Sequence, residues 1–191
     1  MRAKKPEPSE DISRNVYLVH GQNSAATRAM CEFLQSLELV PITKETVVKL
    51  MGETAPFIGQ IIDAAFEHAN AVIVLFTGDD LARLRSDLQK DSEKAAGRDF
   101  AYQPGQDQVF EAGYAFGRYP EHTILLQLGN MQLFSDIDGM YIPIFTGKED
   151  ERRSLIDKLK KVGCTLKDDG DKWRKAGNFR KALRKDTPPT H

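Results

Sequence analysis

The feature that most constrains this chain is a pair of short runs that are apolar almost throughout. Residues 71–76 read Ala-Val-Ile-Val-Leu-Phe, and residues 123–128 read Thr-Ile-Leu-Leu-Gln-Leu. Strands that are apolar on both faces are typical of a parallel sheet that helices cover on each side. The two runs therefore predict the central strands of an α/β fold.

Further strand-like and helical segments alternate along the chain. Three more short strands are expected at residues 15–19, 39–42 and 141–145. Apolar residues recur at helical spacing over residues 23–37, 57–68, 106–118 and 149–162. This alternation predicts an open parallel sheet of about five strands with helices on both faces. Residues 79–105 are polar and irregular, and a helix carrying Leu81, Leu84 and Leu88 is expected within them.

The length of 191 residues favours one domain, which two segments of different character flank. Residues 1–14 are polar and contain two prolines, so a flexible lead-in is expected. The domain itself is expected over residues 15–162. Residues 163–191 form a basic extension in which Trp173, Ala176 and Leu183 fall at helical spacing. We expect this extension to be a helix that packs on the domain, either as a solvated basic face or as a contact for a partner or nucleic acid.

The composition argues against several classes of protein. Lys and Arg number 27 against 28 Asp and Glu, so a general nucleic-acid-binding surface is not expected. No apolar run approaches the ~20 residues of a membrane span, and no signal peptide is visible. Cys31 and Cys164 lie far apart without Cys or His companions. This pattern predicts a cytoplasmic protein with no membrane segment, disulfide framework or metal site.

Two polar turns follow predicted strands and are expected to meet at the carboxyl edge of the sheet, where ligands bind in such folds. The first is His20-Gly21-Gln22-Asn23-Ser24, where Gly21 permits a tight turn and the next helix offers free N–H groups to a phosphate. It contains one glycine and is neither a GxGxxG motif nor a P-loop, so an ordinary turn stays open. The second contains Asp79 and Asp80, which either cap a helix or accept hydrogen bonds from ribose hydroxyls.

The strongest candidate lies in a helix that is apolar almost all round. Residues 109–117 read Val-Phe-Glu-Ala-Gly-Tyr-Ala-Phe-Gly, with Glu111 as the only charge. Charged side chains are seldom fully buried unless they are paired or functional. Gly113 and Gly117 each cost about 1 kcal/mol relative to Ala and suggest a close approach of the sheet or of a ligand. Glu111 is therefore either a functional carboxylate in a cleft or an edge residue bonded to backbone or to Arg118.

A single carboxylate is compatible with one kind of glycosidic chemistry. Ordinary glycosidases need two acids, because an alkoxide leaving group must be protonated. Nicotinamide leaves NAD+ as a neutral molecule, so one Glu could stabilise the oxocarbenium-like transition state or trap it covalently. Asp79, Asp80 and Asp107 could approach Glu111 in the fold, which leaves a second acid open.

Four motifs occur in order and carry a family resemblance. They are Val-His-Gly-Gln-Asn with Arg28, Thr77-Gly78-Asp79-Asp80, the segment Gln-Val-Phe-Glu-Ala-Gly-Tyr that begins at Gln108, and Ser-Asp-Ile-Asp-Gly at residues 135–139. Over residues 15–162 this set resembles the bacterial TIR-like domains often labelled predicted nucleotide-binding proteins. Relatives act as effectors in cyclic-nucleotide-triggered antiphage systems.

The resemblance implies a flavodoxin-like TIR fold and NAD+ glycohydrolase (NADase) activity with Glu111 as catalytic residue. NAD+ would then be the substrate, and no cofactor is expected. The resemblance also implies that an aromatic residue, here Phe57, covers the nicotinamide. The candidate substrate-binding set is His20, Gly21, Gln22, Asn23, Ser24, Arg28, Phe57, Asp79, Asp80, Asp107 and Tyr114.

The resemblance further implies that copies of the chain assemble on activation. The source of the triggering signal stays open between a separate sensor chain and self-assembly. The chain departs from the family at Gly78, where Pro is usual, and at residues 105–109, which read Gly-Gln-Asp-Gln-Val where the family has Arg-x-Asn-Val. Two alternatives remain open. One is an N-glycosidase similar to nucleoside 2-deoxyribosyltransferases, with a proton delivered by Asp79 or Asp107. The other is a non-catalytic module that binds nucleotide or another TIR domain.

Overall fold

A computed structural model of the chain describes residues 8–52, 56–85, 87–88, 100–133 and 142–183. Its centre is a five-stranded sheet in which every neighbouring pair of strands is parallel. The strands are β1 (Asn15–His20), β2 (Val40–Ile42), β3 (Ala71–Phe76), β6 (Thr123–Leu128) and β7 (Ile144–Phe145). They lie side by side in the order β2-β1-β3-β6-β7. The predicted α/β, flavodoxin-like TIR fold is confirmed.

Helices cover both faces of the sheet, as the apolar runs require. They are α1 (Ser24–Ser36), α2 (Lys44–Met51), α3 (Ile58–His68), α4 (Gln106–Arg118) and α5 (Glu149–Lys161). Alternate residues of a strand point to opposite faces. Val16 and Leu18 of β1 accordingly pack in one core with α1 and α5, whereas Tyr17 and Val19 pack in the other with α2, α3 and α4. All six residues of β3 are buried.

Helix α2 is a short element that the sequence pattern did not reveal. Its apolar residues Val47, Val48 and Met51 have helical spacing, but only Val47 is buried. The helix ends at Gly52, whose φ of 67° is a left-handed conformation that glycine adopts without steric cost. One buried residue in eight leaves a weak periodic signal, and for that reason the helix was missed.

The helix expected around Leu81, Leu84 and Leu88 is wrong. Leu81 lies in β4 (Asp80–Ala82), which pairs antiparallel with β5 (Ala101–Gln103), whereas Leu84 and Leu88 are exposed and outside any helix. The pairing joins residues about twenty positions apart in the sequence, so local periodicity could not predict it. The predicted fifth strand begins later than expected, at Ile144, and Tyr141 lies outside the described residues. The motif at 135–139 also lies outside them.

The flanking segments pack on this body. Of the N-terminal lead-in, residues 8–14 are described, and Ile12–Arg14 form a turn of 3-10 helix that Asp11 caps, where a flexible segment was expected. At the other end, two four-residue helices stand where one was expected: α6 (Lys172–Lys175) and α7 (Phe179–Ala182). Gly177, with a φ of 77°, separates them. Within the described ranges, no helix is long and apolar enough to cross a membrane.

The C-terminal segment is held by a buried arginine of α5. Arg152 donates hydrogen bonds to the carbonyl oxygens of Gly147 at 2.7 Å and Trp173 at 2.9 Å, and further ones to Ala176 and Gly177. Trp173 and Phe179 are each 2% exposed and belong to the core beneath α1 and α5. Burial lowers the pKa of the Arg152 guanidinium.

Candidate active site

A cleft of about 430 Å³ opens at the carboxyl ends of β1 and β3 and contains Glu111. We call it the Glu111 cleft. Its position is the one at which open α/β sheets bind ligands. The lining residues are Tyr17, Leu18, His20, Gly21, Gln22, Lys44, Glu45, Asp79, Asp80, Gly105, Gln106, Asp107, Gln108 and Glu111.

Glu111 lies on the inner side of α4 and is 7% exposed. Ala112 and Ala115 of the same helix are buried, which fixes the face that α4 presents to the sheet. The carboxylate is paired with Lys44, whose Nζ donates to Oε1 at 3.0 Å. Arg118 pairs instead with Asp63, at 3.6 Å. The alternative in which Glu111 is an edge residue bonded to Arg118 is therefore wrong.

Lys44 is a functional candidate that sequence reasoning missed. It is the first residue of α2, and its side chain is 46% exposed at the edge of the cleft. Since α2 was not predicted, nothing in the sequence connected Lys44 with a residue 67 positions away. Thr43 before it and the apolar spacing after it were the available signals for the start of a helix.

Two buried polar groups border Glu111. Gln108 is 3% exposed, and its Nε2 donates to the carbonyl oxygen of Leu75 at 2.9 Å. Because a carbonyl oxygen can only accept a hydrogen bond, the Gln108 amide must point its Nε2 towards Leu75. Its Oε1 and the hydroxyl of Tyr17 are buried without a hydrogen-bond partner among the described residues. Burial, together with the charges of Glu111 and Glu45, raises the pKa of Tyr17, so the phenol stays protonated.

Asp79 connects the turn that follows β1 with the turn that follows β3. Its Oδ2 accepts hydrogen bonds from the Gln22 backbone N–H at 2.6 Å and from the Thr77 hydroxyl at 2.9 Å. Gly21 leaves room for this carboxylate, because an added Cβ would overlap Asp79 and lie 2.8 Å from Thr77 Oγ1. Strand β4 begins at Asp80, so neither aspartate caps a helix.

The structure brings seven of the predicted site residues into one cleft. They are His20, Gly21, Gln22, Asp79, Asp80, Asp107 and Glu111. The ring Nδ1 of His20 donates to the Gly21 carbonyl oxygen at 2.9 Å, which stiffens the first turn. Asp107 is exposed in the first turn of α4, and its carboxylate therefore faces the partial positive charge of the helix N-terminus.

The other five predicted residues lie elsewhere. Asn23 caps α1 by accepting from the Ala26 N–H at 3.1 Å, and Ser24 and Arg28 are exposed on that helix. Tyr114 donates to Asp63 Oδ2 at 3.0 Å on the far side of α4. Phe57 precedes α3 and is 80% exposed. The cleft contacts none of these five side chains.

The lining is strongly acidic. Lys44 is the one lysine or arginine among the described lining residues, and it faces five carboxylates: Glu45, Asp79, Asp80, Asp107 and Glu111. Such a cleft favours a ligand that carries or develops positive charge. No group of three or more His, Cys, Asp or Glu in the described part of the chain is arranged to hold a metal ion.

Two comparisons place this architecture among known proteins. The chain is 24% identical over 167 residues to the uncharacterized protein YuaY of Escherichia coli (strain K12). That alignment covers 86% of this chain and 51% of YuaY, so the chain spans about half the length of its relative. Residues 15–147, from β1 past β7, match the family described as CAP12/Pycsar effector protein, TIR domain. The chain belongs to this family of TIR-domain effectors.

Proposed function

We propose that the protein is an NAD+ glycohydrolase that cleaves the nicotinamide–ribose bond, with Glu111 as its catalytic residue. The observation that carries this proposal is a nearly buried carboxylate facing an open cleft at the carboxyl ends of β1 and β3. Membership of a TIR-domain effector family supports a role in antiphage defence or signalling.

The proposed reaction needs a negative charge beside the ribose and no general acid. The bond between ribose C1′ and the pyridinium nitrogen breaks, and its electron pair neutralises the leaving nicotinamide. The ribosyl group becomes an oxocarbenium ion, which the Glu111 carboxylate stabilises. Water then adds to C1′ and loses a proton to solvent, giving ADP-ribose. Attack by the substrate's own adenine would give a cyclic product instead.

The charge of the cleft supports a cationic substrate group over a neutral nucleoside. Five carboxylates face one lysine, and both the nicotinamide ring and the ribosyl cation are positively charged. A deoxyribosyltransferase-like reaction would need a proton for its base. Asp79 is poorly suited to supply one, because Oδ2 already accepts two hydrogen bonds. Asp107 remains the candidate donor for that alternative.

Assembly and localisation belong to the same proposal. We infer that NAD+ or a related nucleotide is the substrate and that copies of this chain assemble on activation, with a separate sensor chain or self-assembly itself as the source of the signal. Phe57 is 80% exposed and Phe110 59%, and aromatic side chains are enriched in protein–protein interfaces. A cytoplasmic location would give the enzyme access to NAD+.

The test is nicotinamide release by the purified protein, crowded or at high concentration, with NAD+. Glu111→Gln keeps an acceptor for Lys44 and removes the charge, so the fold is preserved while release falls by at least about 100-fold. Glu32→Gln, on the exposed side of α1, is the matched control and retains activity. Full activity of Glu111→Gln would exclude the catalytic assignment.

A substrate panel separates the alternatives. Preferential cleavage of deoxynucleosides or nucleoside monophosphates would favour the deoxyribosyltransferase-like enzyme. Tight binding of NAD+ or ADP-ribose without turnover in any assembled state would identify a non-catalytic module. Cleavage restricted to NAD+ and its nicotinamide relatives supports the glycohydrolase.

A further inference from the structure

A second cleft, of about 470 Å³, opens beside the Glu111 cleft at the carboxyl ends of β3 and β6. We call it the Tyr102 cleft. Its lining residues are Gln22, Asn23, Thr77, Gly78, Asp79, Tyr102, Leu128, Gly129, Asn130, Met131, Ala182 and Leu183.

The two clefts are neighbours. Gln22 and Asp79 line both of them, and the Gln22 N–H donates to Asp79 Oδ2 at 2.6 Å. A ligand with two ends could therefore place one end in each cleft, with its middle beside Gln22 and Asp79.

The lining of the Tyr102 cleft differs in charge from that of its neighbour. Asp79 is the one charged side chain among its described lining residues, and it already accepts hydrogen bonds from Gln22 and Thr77. An aromatic ring, apolar side chains and amides provide the remaining surface, namely Tyr102, Leu128, Met131, Leu183, Gln22, Asn23 and Asn130. Such a surface suits a flat, neutral heteroaromatic base, which stacks on the ring and bonds at its edge to the amides of Gln22 and Asn130. The Asn23 amide already accepts from the Ala26 N–H and donates to the Ala182 carbonyl oxygen.

Gly78 determines where the aromatic ring can lie. A Cβ added at Gly78 would be 2.9 Å from Tyr102 Cβ and 3.5 Å from its Cγ, so the tyrosine packs directly on the glycine backbone. Position 78 is one of the two places where the sequence departs from the family pattern that it resembles, which usually has Pro there. Any side chain at position 78 would displace Tyr102, so the position of the ring in this cleft depends on the glycine.

The outer wall comes from the C-terminal segment. Asn23 Nδ2 donates to the Ala182 carbonyl oxygen at 3.0 Å, which holds the end of α7 against the turn after β1. Leu183 packs over Gly129, where an added Cβ would be 3.1 Å from Leu183 Cδ2. Both wall residues lie outside the family match at 15–147. The C-terminal segment therefore completes a cleft that the matched domain alone would leave open.

We propose that the Tyr102 cleft binds the adenine end of the dinucleotide whose nicotinamide ribose lies at Glu111. This inference rests on the proposed function. The positively charged nicotinamide then lies in the acidic Glu111 cleft, and the uncharged adenine lies in the Tyr102 cleft. The C-terminal segment also gains a role in substrate binding.

The test compares a dinucleotide with a substrate that lacks adenine. Tyr102→Leu removes the ring from β5 and raises KM for NAD+ by about 5- to 100-fold, as expected for the loss of one base–aromatic stack. For nicotinamide mononucleotide, kcat/KM of the variant stays within about 2-fold of the parent. Phe116→Leu, an exposed aromatic on α4, is the matched control and changes neither value. An unchanged KM for NAD+ in Tyr102→Leu overturns the assignment.

A binding measurement separates this inference from the proposed function. Calorimetric titration with AMP, which needs no turnover, should detect binding to the parent and a loss of at least about 5-fold in affinity in Tyr102→Leu. Gly78→Ala, which displaces the ring without removing it, should lose affinity as well. Equal AMP affinity in parent and folded variants refutes the adenine site, even if NAD+ is cleaved. AMP binding at Tyr102 without NAD+ cleavage would keep the site and refute the glycohydrolase.

Discussion

Replacing Gly21 by alanine tests how the cleft is held open. The Cβ of Gly21→Ala would overlap the Asp79 carboxylate and lie 2.8 Å from both Gln108 Cδ and Thr77 Oγ1. The carboxylate cannot move away without breaking its hydrogen bond of 2.6 Å to the Gln22 N–H. The substitution therefore forces apart the two turns that border Glu111.

The cost follows from two contributions. Loss of a hydrogen bond to a charged acceptor costs roughly 1.5–3 kcal/mol, and crowding a packed site by one methyl group costs roughly 1–3 kcal/mol. The two partly exclude each other, because moving Asp79 relieves the crowding. We expect the free energy of unfolding to fall by about 2–4 kcal/mol, which lowers Tm by roughly 5–15 °C for a chain of this size.

The matched control is the same substitution in open space. An added Cβ at Gly113 meets nothing within 4 Å, and the residue is exposed within α4. The same is true of Gly117, so the close approach expected at these two glycines is wrong. Gly113→Ala should raise the free energy of unfolding by up to about 1 kcal/mol through helix propensity alone. Thermal and urea unfolding, followed by circular dichroism, measure both variants.

A double-mutant cycle decides whether the argument is right. Asp79→Ala removes the first obstacle to the new methyl group, so the Gly21→Ala/Asp79→Ala protein should be more stable than the sum of the two single losses predicts, by about 1–3 kcal/mol. This recovery of stability should be incomplete, because the new methyl group would still lie 2.8 Å from Gln108 Cδ and Thr77 Oγ1. Strict additivity, or a Gly21→Ala protein as stable as the parent, would refute the packing described for this turn.

Three further predictions concern charged side chains. Lys44→Met removes the positive charge that would attract the anionic NAD+ to the cleft. KM for NAD+ should therefore rise about two- to fivefold with little change in kcat, and a lower KM would contradict this reasoning. Arg152→Met leaves four carbonyl oxygens without their donor, so the free energy of unfolding in urea should fall by at least about 3 kcal/mol. A fall of less than about 1 kcal/mol would contradict this prediction. Hydrogen bonds from Lys160 and Arg153 lower the pKa of Asp168. Asp168→Asn should therefore lower Tm at pH 7. The difference should begin to shrink as the pH falls below about 4 and vanish once the pH is below the lowered pKa of Asp168, whereas a constant difference would refute the prediction.

The sequence carried the central features of both fold and site because each left a local signal. An uninterrupted apolar run marks a strand buried on two faces, and β3 and β6 lie where those runs stand. Glu111 was found because one charge in an apolar helix stands out against its neighbours. Residues with no such contrast were missed: Lys44 begins a helix with a single buried residue, and Gln108 is one amide among several.

Five of the predicted binding residues show the limit of reading a site from a motif. Asn23, Ser24 and Arg28 lie within eight residues of His20, yet none of them lines the Glu111 cleft. Asn23 caps α1 and lines the Tyr102 cleft instead, whereas Ser24 and Arg28 are exposed on α1. Tyr114 comes less than one helical turn after Glu111 and faces Asp63 instead. Adjacency along a chain does not determine the face of a helix on which a side chain lies.

The parallel sheet, its longer covering helices and the buried acid were determined by the sequence itself, because apolar periodicity and isolated charges act within a few residues. Tertiary structure alone decided that Lys44 pairs with Glu111 and that Asp79 joins two turns. It also decided that the C-terminal segment forms one side of the Tyr102 cleft. Those contacts join residues tens to more than a hundred positions apart, and they depend on which faces the packed helices present. No local pattern encodes such contacts, since the energy that selects them arises only once the core has formed.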